Sequence, residues 1–122
     1  MAVVKIHDKI YRIKTPFGGG GTVFLYLIRG DTTALVDTGT AQSPDEVIRP
    51  ALAELGLALS DVDMILNSHG HLDHAGGNMA FRKESKARIH VHEADMFMAN
   101  STEAQVEFMI APLRALGFPA AA

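Results

Sequence analysis

The chain has 122 residues, 48% hydrophobic and 20% charged, with 11 basic side chains against 14 acidic and a net charge of −3. At about 100–200 residues per domain this predicts one globular domain, too apolar for disorder and without the basic field that would hold nucleic acid or an anionic membrane. Cysteine is absent, which excludes disulfides, thiolate metal sites and a cysteine nucleophile; no apolar run approaches the roughly 20 residues that span a bilayer, so a soluble, cytoplasmic protein is expected.

Residues 5–14, with Ile6, Ile10, Tyr11 and Ile13, predict a short strand or hairpin arm. Thr15-Pro16-Phe17 and then Gly18 to Gly21 read as a breaker and a mobile loop, because consecutive glycines are costly to order. A phosphate cradle is the weaker reading there, since the run has no P-loop lysine and leads into a strand. Residues 22–28 and 33–36 are apolar at consecutive positions, which predicts a hairpin covered on both faces and turning at Gly30-Asp31. It ends at Asp37-Thr38-Gly39-Thr40.

A helix follows, with Ser43 as its cap, Pro44 in the first position and Glu46 placed to close a capping box. Val47, Ile48, Ala51, Leu52 and Leu55 form its apolar stripe, Pro50 interrupts it, and Gly56 ends it. Residues 62–66 predict a further buried strand, 78–84 a short helix and 87–92 another strand. Arg82, Lys83, Lys86 and Arg88 read as a solvated helix face rather than a phosphate site. From Glu93 the chain turns helical and restarts at Ser101. Val106, Met109, Leu113 and Leu116 supply a stripe broken near Pro112, and Gly117 stops it.

Five of the six histidines fall in two tight clusters. The denser one is Ser68-His69-Gly70-His71-Leu72-Asp73-His74-Ala75-Gly76-Gly77. It offers four metal ligands within six positions, of types that suit zinc, iron or manganese. Regular strand geometry cannot make four such side chains converge, so the segment must fold back on itself, and Gly70, Gly76 and Gly77 grant that freedom. It follows a predicted strand, at the carboxyl end where open α/β sheets carry their ligand sites. The bland alternative is a histidine-rich surface turn.

His69-x-His71-x-Asp73-His74 resembles the signature motif of the metallo-β-lactamase superfamily, and Leu35-Val36-Asp37-Thr38-Gly39 is similar to its first motif. The order of elements between residues 22 and 92 matches as well. The resemblance implies an α+β fold, the αβ/βα sandwich of that family, of which residues 1–122 supply roughly the N-terminal αβ half as one incomplete domain. It implies that His69 and His71 bind a first metal and that Asp73 and His74 bind a second. A water or hydroxide between the metals, oriented or deprotonated by Asp73, then attacks an ester, thioester, lactone, lactam or phosphodiester substrate. Asp37 resembles the carboxylate that holds the ligand loop from behind.

The family completes its two metals with a third histidine, a bridging aspartate and a last histidine from the later half of a longer chain. Here no histidine follows His92, and Asp95 is the only aspartate after Asp73. His90 and His92 share a strand face and are weighed as substitute ligands or substrate contacts, against the reading that one meets solvent or a helix terminus. The expected function is a metal-dependent hydrolase, with zinc first among the metals, iron or manganese as alternatives, and a small-molecule substrate. The competing expectation is a non-catalytic half-domain that binds metal and either self-associates or pairs with a missing C-terminal half.

Overall fold

The computed structural model describes residues 3–17, 20–99, 101–105, 107 and 110–116. Six strands form one sheet in sequence order: β1 (Val3–His7), β2 (Ile10–Phe17), β3 (Gly21–Arg29), β4 (Thr33–Val36), β5 (Met64–Leu66) and β6 (Arg88–His90). The first four run antiparallel, and β4, β5 and β6 run parallel. The helical segments are α1 (Arg49–Glu54), α2 (Leu72–Ala75), α3 (Asn78–Glu84), α4 (Met96–Ala99), α5 (Thr102–Gln105) and α6 (Ala111–Ala115). The three parallel strands open their carboxyl ends toward the same edge, and the Asp37 turn and the histidine segment both emerge there.

One face of the sheet carries the core. The cross-strand row Tyr11, Leu27, Leu35, Ile65 and Ile89 lies beside Ile13 and Leu25, and Ile48, Ala51, Leu52, Leu59, Val62 and Phe81 close over it. The opposite face differs from the expectation of strands covered on both sides. Its rows place Val4, Arg12, Tyr26, Val36, Leu66 and His90 in register, and Val4 and Phe24 are 43% and 41% exposed. The apolar run of β3 is buried at alternate positions only, Val23, Leu25 and Leu27, whereas the shorter β4 buries Ala34 and Leu35 in succession.

The predicted breaker at Thr15-Pro16-Phe17 is instead the end of β2, paired to β3 through Pro16 and Thr22. Among the described residues β1 accompanies β2 only as far as Ile13, so the proline sits where its missing donor deprives no outer neighbour. The loop expected over the glycine run falls partly on Gly18 and Gly19, outside the described residues.

The predicted capping box does not form. Ser43 is itself helical, with φ −58° and ψ −38°, so its hydroxyl turns back to accept the Thr40 N–H at 2.9 Å. The first turn, Pro44–Ile48, is π-helical, with the Arg49 N–H bonded to the Pro44 carbonyl. Pro50 has no N–H to give the preceding turn, and widening that turn shifts the ladder past it. The C-terminus behaves as read: Gly56 takes φ +74°, and the bonds Gly56 N–H to Ala53 and Leu57 N–H to Leu52 make a Schellman cap. α3 has the predicted bounds. Ser101 restarts the helical tail by accepting the Ala104 N–H. Of the predicted stripe there, Val106, Met109 and the Leu113 side chain lie outside the described residues, and Leu116 is exposed.

Candidate metal centre

β4 ends at Val36, and the next residue, Asp37, takes φ +66°. That left-handed turn is tolerated by aspartate better than by most side chains, and here it drives a charged group into the interior. Asp37 is buried and accepts three hydrogen bonds. Its Oδ1 receives the Ser68 N–H at 2.7 Å, and its Oδ2 receives the Ser68 hydroxyl at 2.6 Å and His74 Nδ1 at 2.8 Å. Ser68 Oγ also lies 3.0 Å from His69 Nδ1. Counting protons assigns the tautomers: the single Ser68 proton goes to Asp37, so His69 Nδ1–H donates to Ser68. One carboxylate thereby fixes Nδ1–H on both His69 and His74 and leaves each Nε2 lone pair free, the arrangement expected of metal-binding imidazoles.

The segment after β5 packs tightly. His69, His71 and Asp73 each offer a ligand atom, all within 4.8 Å of one another. His74 lies beside them, its ring centroid 4.0 Å from that of His69 and its Nε2 3.5 Å from Asp73 Oδ2. Asp73 Oδ1 is buried with no hydrogen-bond partner. An orphaned carboxylate oxygen among imidazoles is costly unless a cation or water satisfies it, so the donor set fits a divalent metal. The fold-back is a turn of helix, α2. Gly76 and Gly77 serve it through space rather than through unusual dihedrals: a Cβ on Gly76 would lie 2.2 Å from the Leu72 carbonyl oxygen, and one on Gly77 2.3 Å from that of Thr38. The backbone there bonds directly to the Asp37 turn, Thr38 N–H to the His74 carbonyl and Gly76 N–H to that of Gly39.

Of the other predicted candidates, His74 borders the three-residue ligand group without belonging to it, and neither His90 nor His92 belongs to it. His90 is exposed on β6, on the open sheet face. His92 Nδ1 accepts the Ala94 N–H and starts a helical turn. Ser68 and Asn78 had no role in the sequence reading. Asn78 exchanges amide hydrogen bonds with buried Asn67 and accepts the Thr38 hydroxyl at 2.8 Å, tying α3, β5 and the Asp37 turn together. A polar pair at these positions carries no local signal, because its purpose depends on a turn some 40 residues away.

Charge follows the geometry. Burial pushes the Asp37 carboxyl up, but the hydrogen bonds from His74 and Ser68 outweigh it and hold the group below its ordinary 3.8. The bond to Asp37 raises His74 above 6.5. Burial, with His74 and His71 nearby, lowers His69 below 6.5. The signs give a testable profile for the metal-free chain. A raised His74 contributes stability that is complete below 6.5 and lost as pH climbs through its folded value. A lowered His69 costs stability as pH falls below 6.5, and a lowered Asp37 does so below 3.8. The thermal midpoint is therefore expected to peak near pH 6.5; a midpoint still rising well above that pH would contradict the Asp37–His74 pair.

The family model of the metallo-beta-lactamase superfamily matches residues 18–121. Probable metallo-hydrolase YqjP of Bacillus subtilis is 31% identical over 111 residues, covering 88% of this chain and 34% of its own length. Metallo-beta-lactamase domain-containing protein 1 of Xenopus laevis is 30% identical over 97 residues, covering 75% and 41%. Among solved structures, BJP-1, a subclass B3 metallo-beta-lactamase of Bradyrhizobium japonicum, superposes with a TM-score of 0.67 at 32% identity, covering 78% of this chain and 34% of that one. The chain thus spans about a third of the length of YqjP and of BJP-1. The α+β sheet architecture expected from the motifs is the one these structures share. Among the described residues no helix is long and apolar enough to cross a membrane.

Proposed function

Because this chain belongs to the metallo-beta-lactamase superfamily, we propose that it carries the first metal-binding elements of a zinc-dependent hydrolase acting on an ester, thioester, lactone or lactam carbonyl of a small molecule. The observation that carries this reading is the convergence of His69, His71 and Asp73 around a buried Asp73 oxygen with no partner. His69 and His71 would hold one metal through Nε2 and a second ring nitrogen, and Asp73 and His74 would hold the other. A bound divalent metal supplies Lewis acidity and makes water acidic enough to be a nucleophile at neutral pH. Asp73 is the carboxylate placed to orient that water or take its proton. Asp37, through Ser68 and His74, keeps two imidazoles in the tautomer that leaves Nε2 available.

The open sheet face supports a second element of the reading. Val4 and Phe24 stand exposed beside Tyr26, Ile28 and Val36, and the relatives are about three times as long. We place a second layer on this face, supplied by further chain of the same protein and bringing the ligands each metal still needs; a second copy is the alternative, a half-domain that binds metal and self-associates. Zinc-loaded residues 1–122 should take up metal weakly and hydrolyse a general ester or thioester far below the ordinary range of roughly 1–10³ per second. Light scattering beside that assay reports the state of association. A strictly monomeric chain turning over at an ordinary rate would defeat the second layer, and a chain that takes up no metal would defeat the metal centre.

A further inference from the structure

The ligand loop is held from two sides, and only one of them involves Asp37. Gly70 stands between His69 and His71 and is buried. Its N–H donates to Asp95 Oδ2 at 3.3 Å, and its carbonyl accepts from Gln105 Nε2. The same Gln105 nitrogen donates to the Met98 carbonyl at 2.8 Å. Both partners come from the helical segment after β6. Asp95 closes the turn that His92 caps, with its own N–H on the His92 carbonyl at 2.9 Å, and Gln105 ends α5. Gln105 Oε1 is buried without a partner, so the amide is oriented by the two carbonyls that its nitrogen serves.

We propose that Asp95 and Gln105 are positioning residues that grip both backbone polar groups of Gly70 and so set the separation and orientation of the His69 and His71 imidazoles. A glycine between two ligands has the widest choice of dihedrals of any residue, and that freedom would let the two rings swing independently. Bonding both its donor and its acceptor removes most of the choice. Asp95 takes the donor of Gly70 at 3.3 Å, and Gln105 serves its acceptor. Groups that orient metal ligands in this way are typically worth 10–100-fold in affinity. The inference rests on the proposed metal centre and adds to it a role for residues from the helical tail.

The test is cobalt(II) titration of the full metal-free chain, followed by its visible absorption bands, which report ligand geometry rather than turnover. Asp95→Ala and Gln105→Met are expected to weaken cobalt binding about 10-fold each and to alter the bands. Asp95→Asn, whose amide oxygen still accepts the Gly70 N–H, should stay close to the parent chain. Met98→Ala serves as the control, because it loosens the same segment at a buried side chain and leaves both Gly70 bonds in place. Should Met98→Ala weaken cobalt as much as Asp95→Ala at an equal loss of thermal midpoint, or should Asp95→Asn fail to rescue, the grip on Gly70 is only structural packing and the proposal falls. Cobalt uptake and bands unchanged in Asp95→Ala and Gln105→Met would overturn it as well. A parent chain that takes up no cobalt would overturn the metal centre itself, a result distinct from either.

Discussion

Replacing His71 or Asp73 with alanine is expected to lower the metal content of the purified chain sharply, whereas His7→Ala should leave it unchanged. His71 and Asp73 lie in the cluster whose ligand atoms fall within 4.8 Å of one another, and His7 is an exposed residue at the end of β1. Losing a direct ligand should hurt at least as much as losing a group that orients one, so the affinity should fall by about 10–100-fold or more. The folding cost should be small, because both side chains are only partly buried and Asp73 leaves no partner of Oδ1 unpaired. Asp73→Ala even removes an unsatisfied buried oxygen, so the metal-free variant should melt no lower than its parent. Elemental analysis beside a thermal melt checks both parts. Parent-like metal content in both loop variants would remove these residues from the centre.

Asp37→Asn should keep the fold and still weaken metal retention by about 10–100-fold. Asparagine tolerates the left-handed φ of +66° nearly as well as aspartate does. It can accept at one position only, however, and its NH₂ group would face either the Ser68 N–H or the Ser68 hydroxyl and His74 Nδ1, which then lose their acceptor. Asp37→Ala should be worse for the fold. It leaves the Ser68 N–H and the His74 ring N–H without their acceptor, each costing less than the about 1–3 kcal/mol of a fully buried donor because both are only part-buried, and it places an alanine in the strained turn. Circular dichroism beside a zinc titration separates the two effects. The asparagine variant should also lose the alkaline fall of the metal-free stability profile, because the bond His74 donates to Asp37 is the main cause of the raised His74 value. Equal zinc affinity in the variant and its parent would take Asp37 out of the site.

Much of the molecule was legible because its causes are local. The Gly56 cap, the bounds of α3 and the Ser101 restart each depend on residues within one turn, and side-chain type and spacing are enough to read them. The β3–β4 hairpin follows from two apolar runs on either side of the Gly30-Asp31 turn signal. The candidate ligands His69, His71, Asp73 and His74 stood out because four side chains of metal-ligating type in six positions are rare by chance; the first three offer atoms within 4.8 Å of one another, and His74 packs against His69 outside that group. Family-level resemblance rested on these same residues and on the Asp37 motif, which the matching family model spans.

What the tertiary structure decided depends on pairs distant in sequence. Asp37 meets Ser68 and His74 across 31 and 37 residues, and Gly70 meets Gln105 across 35. Such contacts exist only once β4, β5 and β6 are in parallel register, and no window of the chain contains both partners. The same holds for Ser43, whose hydroxyl is spent on Thr40 inside a packed turn, and for Gly76 and Gly77, required by backbone of residues 38–41 lying against them rather than by their own dihedrals. Sequence by itself determined which groups could do chemistry and roughly where the strands and helices run. Sheet register, and the close approach it imposes, decided which polar groups were left to orient them, because a buried hydrogen bond is specified by the meeting of two surfaces and not by either one.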